Sequence, residues 1–181
     1  MDFNLESLKH YVIGPITHQV AEFVELPKQT NHYLLMAATI GLGRNSGLFH
    51  QTKDSFGLFH IKEEQHTTIW DDHLVKNPNL ASSVRGLASQ HQFLKTPHTE
   101  LCTNLNYATA IAAVALTLKP MSYHSDVSLH QQIALLNAAF PGFKYITRQE
   151  WQEATDILNA EVRKPIILGP SVSDDSEAIC A

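Results

Sequence analysis

The sequence predicts a mainly α single domain with a β-hairpin or irregular insertion near residues 44–61. Apolar residues recur at helical spacing through most of the chain, whereas the alternating pattern of a strand is rare. Of the 181 residues, 44% are hydrophobic, which is enough for one core of ordinary size. We expect the domain to span residues 1–162 and an extended C-terminal arm or tail to follow at 163–181.

Capping residues, glycine and proline divide the first half of the chain into helices. The pattern predicts helices over 4–12, 15–25, 31–41, 63–74 and 78–92. A break at Gly14-Pro15 separates the first two helices, and Asn31 is expected to cap the third. The third helix, HYLLMAATIGL, is apolar almost all the way round, which is typical of a helix in the centre of a core.

The second half of the chain uses the same signals. Thr96-Pro97 opens a helix of about 98–118, in which the small residues of NYATAIAAVAL let neighbouring elements approach closely. Asp126 is expected to cap the next helix, and Thr147 with Glu150 forms a capping box for a last helix that ends near residue 161. The helix after Asp126 has one apolar face, formed by Leu129, Ile133, Leu136 and Phe140.

Composition argues against several classes of partner. The net charge is −5 and no run of Lys or Arg offers a track for phosphates, so we expect no nucleic-acid partner. The polar N-terminus lacks the pattern of a secretory signal peptide, and no stretch has the roughly 18 apolar residues of a membrane span. Cys102 lies in an apolar helical pattern and Cys180 in the polar tail, so we expect a buried Cys102, no disulfide and synthesis in a reducing compartment.

Histidine is frequent, but its spacing does not predict a metal centre. The 11 histidines are scattered along the chain. His60, His66 and His73 are six and seven residues apart, yet no HExxH motif or cysteine pair accompanies them. We therefore predict no metal ion and no other cofactor.

Two related phrases flank a polar spacer where the third helix ends. The stretch GLGRNSGLFHQTKDSFGLFHIK contains GLFHQ and then GLFHI. It resembles the lysozyme-like lytic transglycosylases, whose pattern is a helix ending in Glu-Ser, a loop and then Gly-Leu-Met-Gln-Ile. In this chain Asn45-Ser46 corresponds to the Glu-Ser phrase, and FGLFHI corresponds to the second phrase.

A group of tailed-phage proteins of similar length shows a closer likeness. The resemblance covers roughly residues 30–120. The matching positions are Ser46-Gly47-Leu48, Gly57-Leu58, His66, Ile69-Trp70, Leu74, Pro78-Asn79-Leu80-Ala81, Asn104-Leu105 and Tyr107-Ala108. The resemblance implies a lysozyme-like α-domain and a peptidoglycan setting.

The sequence departs from this family at the position of the catalytic acid. In enzymes of this type a glutamate protonates the glycosidic oxygen and then acts as a base. Asn45 stands at that position, and a carboxamide has no titratable proton near neutral pH. Asp54 and Glu63 are the remaining carboxylates that could replace the acid. The resemblance implies that sugar is contacted by Asn45, Ser46, His60 and Tyr107.

Three functions fit these residues. The first is a structural protein of a bacteriophage virion, in the tail or connector, whose degenerate lysozyme-like or transglycosylase-like fold serves as an assembly or attachment module. It would be made in the host cytoplasm and join other virion proteins in an oligomeric assembly, with peptidoglycan contact left open. The second is an active virion-associated lysozyme or transglycosylase with Asp54 or Glu63 as its acid. The third is a cytoplasmic α-helical interaction protein. Asn45 and the apolar Ile166-Ile167-Leu168 in the arm favour the first function.

Overall fold

The chain is mainly helical with a small two-stranded sheet, which confirms the predicted fold class. A computed structural model describes residues 4–44, 54–119 and 127–162, so the predicted arm at 163–181 lies outside the described residues. The helices are α1 (Leu5–Leu8), α2 (Gly14–Ala21), α3 (Thr30–Gly43), α4 (Glu63–Thr68), α5 (Pro78–Leu87), α6 (Gln90–Lys95), α7 (Glu100–Thr103), α8 (Leu105–Thr117), α9 (Leu129–Ala139) and α10 (Arg148–Val162). The strands are β1 (Ser55–Phe56) and β2 (Ile61–Lys62). Short 3₁₀ or π segments join several helices.

The first two helices form one continuous helical path, so the predicted break at Gly14-Pro15 is wrong. A π-helical segment, Lys9–Ile13, joins α1 to α2. The wider turn brings the N–H of Gly14 to the carbonyl of Lys9, five residues back. Pro15, which has no N–H to donate, follows directly in the first turn of α2.

Helices α3 and α8 form the centre of the core. Both are buried on nearly all sides, as their apolar sequences predict. The alanines of α8 leave room for α2, α3 and α5 to pack against it. The predicted cap of α3 is wrong, because the helix begins at Thr30, before Asn31. Thr30 instead donates its hydroxyl to the carbonyl of Pro27 at 2.7 Å.

The insertion predicted near residues 44–61 contains an antiparallel hairpin. Ser55 pairs with Lys62, and Phe56 pairs with Ile61. The turn between the strands needs a glycine, because Gly57 has φ +68° and a Cβ there would overlap the carbonyl oxygen of Leu101. The GLFHI phrase therefore forms the turn and second strand of a buried hairpin.

Capping side chains divide two of the predicted helices. Asn104 splits the helix predicted over 98–118 because its Oδ1 accepts from the N–H of Tyr107 at 3.1 Å. The Nδ2 of Asn104 also donates to the carbonyl of Leu87 at 2.7 Å, which satisfies the end of α5. Ser89 then caps α6, so the helix predicted from residue 78 is also interrupted.

The last two helices follow the predicted pattern of caps in part. Ser128 caps α9 with Gln131, whereas the predicted cap Asp126 lies outside the described residues. The capping box at the start of α10 is confirmed. The N–H of Thr147 donates to Oε2 of Glu150 at 2.9 Å, and the N–H of Glu150 donates to Oγ1 of Thr147 at 3.1 Å.

The described residues contain one continuous hydrophobic core that reaches from α1 to α10. Cys102 is buried within it, as predicted. Among the described helices, none is both long and apolar enough to cross a membrane.

Candidate functional site

Arg44 ties the end of α3 to the C-terminal part of the domain. Its Nε donates to Oε1 of Glu150 at 2.7 Å and its Nη2 donates to Oε2 of Glu150 at 3.0 Å. Nη1 donates to the carbonyl of Phe143 at 2.5 Å, and Nη2 also reaches the carbonyl of Tyr145 at 2.7 Å. The guanidinium carbon lies 5.1 Å from the centre of the Phe143 ring. The residue that precedes Asn45 in the sequence is therefore firmly held.

Glu150 combines the Arg44 ion pair with its own capping role. Partial burial acts to raise the pKa of its carboxyl group, but hydrogen bonds from Arg44 and Thr147 outweigh burial. The pKa of Glu150 is therefore lowered, and the ionised form is stabilised in the folded chain. This carboxylate links α3 to α10.

The hairpin, α3 and the turn after α9 meet in close backbone contact. Gly41 of α3 lies against the carbonyl of Leu58, so that a Cβ would overlap it. Gly142 lies against the carbonyl of His60 in the same manner. These contacts bring the GLFHI hairpin beside the end of α3, although the two are joined by residues outside the described ranges.

His60 lies inside this junction instead of on a cleft surface. Its side chain is 4% exposed and its ring stacks on Phe143, with 4.4 Å between the ring centres. The predicted role of His60 as a sugar contact thus has no exposed surface to act through. Burial arises because the turn at Gly142 packs directly over the hairpin.

Tyr107 is also buried, in a polar network that runs toward the surface. Its hydroxyl lies 2.6 Å from Nε2 of His66 and 2.8 Å from Nε1 of Trp70. Nδ1 of His66 lies 2.9 Å from Nδ1 of His98, and Nε2 of His98 lies 3.5 Å from Oε1 of Glu63. Tyr107 is 0% exposed, so its predicted sugar contact is replaced by internal hydrogen bonds.

The chemistry of these groups fixes the direction of one hydrogen bond. An indole N–H can only donate, so Tyr107 accepts from Trp70. The tautomers of His66 and His98 set the direction of the bond between Tyr107 and His66 and of the bond between the two histidines. The network links the buried Tyr107 hydroxyl, through both histidines, to the exposed Glu63 carboxylate.

Burial keeps two groups of this network neutral. Burial, aided by the nearby His98, lowers the pKa of His66 from 6.5 to about 3. Burial raises the pKa of Tyr107, and this effect outweighs the hydrogen bond from Trp70. Both side chains are therefore neutral at physiological pH.

The remaining predicted residues lie directly before the hairpin, directly after it, or outside the described ranges. Asp54 is exposed immediately before β1. Glu63 begins α4 with its side chain 60% exposed, and it faces His98. Asn45 and Ser46 lie outside the described residues, so the two positions with the strongest likeness to the family have no described geometry.

The sequence does not indicate the contacts of Arg44, Phe143 and His98 in this region. It predicts Glu150 only as a cap. Arg44 and Glu150 are 106 residues apart in sequence, so no local pattern could have paired them. For His98, the one local signal is the preceding Thr96-Pro97, which predicts that a helix begins there.

Within the described ranges, no group of three or more His, Cys, Asp or Glu side chains is arranged to hold a metal ion. In comparisons with known proteins, no protein family, no curated protein and no solved structure matches this chain.

Proposed function

We propose that this chain is a virion protein of a tailed bacteriophage that carries a lysozyme-like domain without an efficient catalytic acid. It works as an assembly or attachment module among other virion proteins. One observation carries the proposal: α3 is a buried helix that ends just before Asn45-Ser46, and a buried hairpin formed by the second phrase packs beside that end. This is the order of elements that the resemblance implies around the family's glutamate.

Asn45 argues against glycosidic cleavage. A general acid must donate a proton to the leaving oxygen, and a carboxamide cannot do this near neutral pH. Removing a positioned acid typically lowers the rate by about 10²–10⁴. The side chain of Asn45 keeps a donor and an acceptor for hydrogen bonds, so it could still contact a sugar without cleaving it.

The described geometry supports a structural role over turnover. His60 and Tyr107, which the resemblance implies as sugar contacts, are instead used for packing and for internal hydrogen bonds. The Arg44 interactions make the end of α3 a fixed part of the fold. A rigid domain of this type suits a module that holds a position in an assembly.

Release of soluble fragments from purified peptidoglycan tests the catalytic part of the proposal. We expect no release by the unmodified chain and measurable release by Asn45→Glu, which restores a carboxyl group. Asn45→Gln is the matched control, because it has the length of glutamate but no acidic proton. If a folded Asn45→Glu variant released no fragments, the interpretation of Asn45 as the position of a lost catalytic acid would lose its support.

The alternative, an active muralytic enzyme, predicts a different result. The unmodified chain would then release fragments, and Asp54→Ala or Glu63→Gln would abolish the release. That outcome would contradict the proposal and identify the substitute acid.

The virion location is tested separately by mass spectrometry of purified phage particles. We expect the chain in intact particles at a fixed ratio to a tail protein. Its presence in the infected-cell lysate but not in particles would contradict the location and favour a cytoplasmic interaction protein.

A further inference from the structure

A cavity lies between α9 and the segment that leads into α10. None of the residues of the His66–Tyr107 network lines it. Its volume is about 580 Å³, within the range of sites that bind small molecules. Its lining includes the apolar side chains of Leu129 and Ile133 and the polar side chains of His130, Tyr145 and Arg148. None of these residues took part in the function proposed above.

The backbone along one side of the cavity is held in place before any ligand binds. Asn137 of α9 accepts from the N–H of Ile146 at 2.6 Å, which attaches the incoming segment to the helix. The carbonyl of Tyr145 is held by Arg44 at 2.7 Å, and Thr147 is held by the capping box with Glu150. A preformed site loses little conformational freedom on binding, which favours affinity.

The side chains around the cavity are cationic or neutral. The described lining contains the guanidinium of Arg148 but no carboxylate. Arg148 forms no ion pair with any described residue, in contrast to Arg44. A guanidinium without an ion-pair partner, in a cavity that also has apolar lining, favours a planar anion, and a carboxylate is the group that it binds with two parallel hydrogen bonds.

Tyr145 gives the cavity an exposed aromatic wall. Its side chain is 66% exposed although the backbone on both sides is held by hydrogen bonds. The Tyr145 hydroxyl and the His130 ring have no hydrogen-bond partner among the described residues, so both are available to a ligand. A ring ligand could cover the aromatic face and use these two groups at its edge.

We infer that this cavity binds an acidic sugar of one or two rings, with its carboxylate on Arg148 and one ring face on Tyr145. A sugar fits better than an aromatic acid, because its apolar C–H face suits the tyrosine and its hydroxyl groups match the polar edge at His130 and Tyr145. The inference uses only the lining residues and does not depend on a degenerate catalytic site.

Two matched pairs of sugars test this inference by calorimetric titration of the full chain. N-acetylmuramic acid is compared with N-acetylglucosamine, which lacks the lactyl carboxylate, and glucuronic acid is compared with glucose. We expect each acid to bind at least about tenfold more tightly than its neutral partner, because hydrogen bonds between charged groups are stronger than those between neutral groups. Preference for N-acetylmuramic acid would point to the cell wall, and preference for glucuronic acid would point to other acidic glycans.

Substitutions assign the binding to the cavity. Arg148→Gln should abolish the preference for the acid and leave binding of the neutral sugar unchanged, whereas Arg148→Lys should retain part of the preference. Lys95→Gln removes an exposed cation outside the cavity and should change nothing. Tyr145→Ala should weaken the binding of both sugars of a pair.

Three results would overturn the inference: equal affinity for the acid and the neutral sugar, no binding of either sugar, or an unchanged preference in Arg148→Gln. None of these results depends on peptidoglycan cleavage, so the inference can fail while the proposed function holds, and the reverse.

Discussion

At the scale of single residues, the Tyr107 hydroxyl is a buried polar group with two side-chain partners. It is fully buried, accepts from Trp70 and forms a second hydrogen bond with Nε2 of His66. A buried polar group is costly when a partner is removed, because the group that remains loses its hydrogen bond without regaining water. The network therefore makes a specific demand on the residue type at position 107.

Tyr107→Phe should lower the free energy of unfolding by about 1–3 kcal/mol, because it leaves Nε1 of Trp70 and Nε2 of His66 without their partner. Urea unfolding followed by tryptophan fluorescence measures the change. Tyr11→Phe is the matched control, since Tyr11 is 79% exposed and its substitution should change stability by less than about 0.5 kcal/mol. Equal effects of the two substitutions would contradict the assigned network.

His66 makes the stability of the fold depend on pH. The pKa of His66 is about 3 in the folded chain and 6.5 ordinarily, so between these values the unfolded chain binds a proton that the folded chain does not. The stability due to a neutral His66 is therefore present above pH 6.5 and is lost as the pH falls. The slope from this residue is at most about 1.4 kcal/mol per pH unit.

Urea unfolding at pH 5–7 measures this dependence, and His66→Gln should flatten it. The groups that face His66 are His98, Tyr107 and, through His98, Glu63. Because the pKa of Glu150 is lowered, the stability that this carboxylate contributes is lost only below about pH 4.5. The range of pH 5–7 therefore measures the contribution of His66 without that of Glu150. His130→Gln, on the exposed start of α9, should leave the slope unchanged. An unaltered slope in His66→Gln would show that His66 does not control it.

At the scale of elements, the ion pair between Arg44 and Glu150 joins α3 to α10. Each of the two residues lies at an end of one of these helices. Arg44 follows the last residue of α3, and Glu150 belongs to the first turn of α10. The negative charge of Glu150 thus interacts favourably with the positive N-terminal end of the α10 dipole. The same carboxylate also binds the Arg44 guanidinium. The two side chains are 24% and 28% exposed, which places the pair between the surface and the core.

A double-mutant cycle measures this connection. Arg44→Ala should lower the free energy of unfolding by about 2–3 kcal/mol, because three partners lose a charged donor. Arg44→Ala, Glu150→Gln and the double variant should reveal a coupling energy of about 1–3 kcal/mol. Lys95→Ala provides the exposed control. Additive effects of the two substitutions would mean that the pair does not stabilise the junction.

At the scale of the whole molecule, the core of the described residues extends from α1 to α10 and is closed by the last helix. Trp151 and Ala154 of α10 are buried against the rest. We expect the chain shortened to residues 1–162 to keep the melting temperature of the full chain to within about 2 °C, since a change of 1 kcal/mol shifts it by about 2–4 °C. Differential scanning calorimetry of the two chains makes the comparison. A fall of more than about 5 °C would place the arm in the folded core.

Much of the fold could be predicted from the sequence because its signals are local. Helical spacing, the Thr147–Glu150 box and the insertion before α4 are all set by residues within a few positions of one another. The same holds for the start of α5, where Asn77 Oδ1 accepts from the N–H of Leu80. One error arose where a distant group competed. Asn104 ended one helix because its amide also satisfies the carbonyl of Leu87.

The sequence predicted where the candidate site lies along the chain but not which side chains it brings together. The sequence by itself determined the mainly α fold class, the hairpin phrase and the carboxamide at Asn45, because these depend on residue type and on local spacing. Only the tertiary structure decided that His60 and Tyr107 are interior residues and that Arg44 binds Glu150. Burial and long-range pairing depend on how helices pack, and packing is set jointly by side chains that are far apart in the sequence.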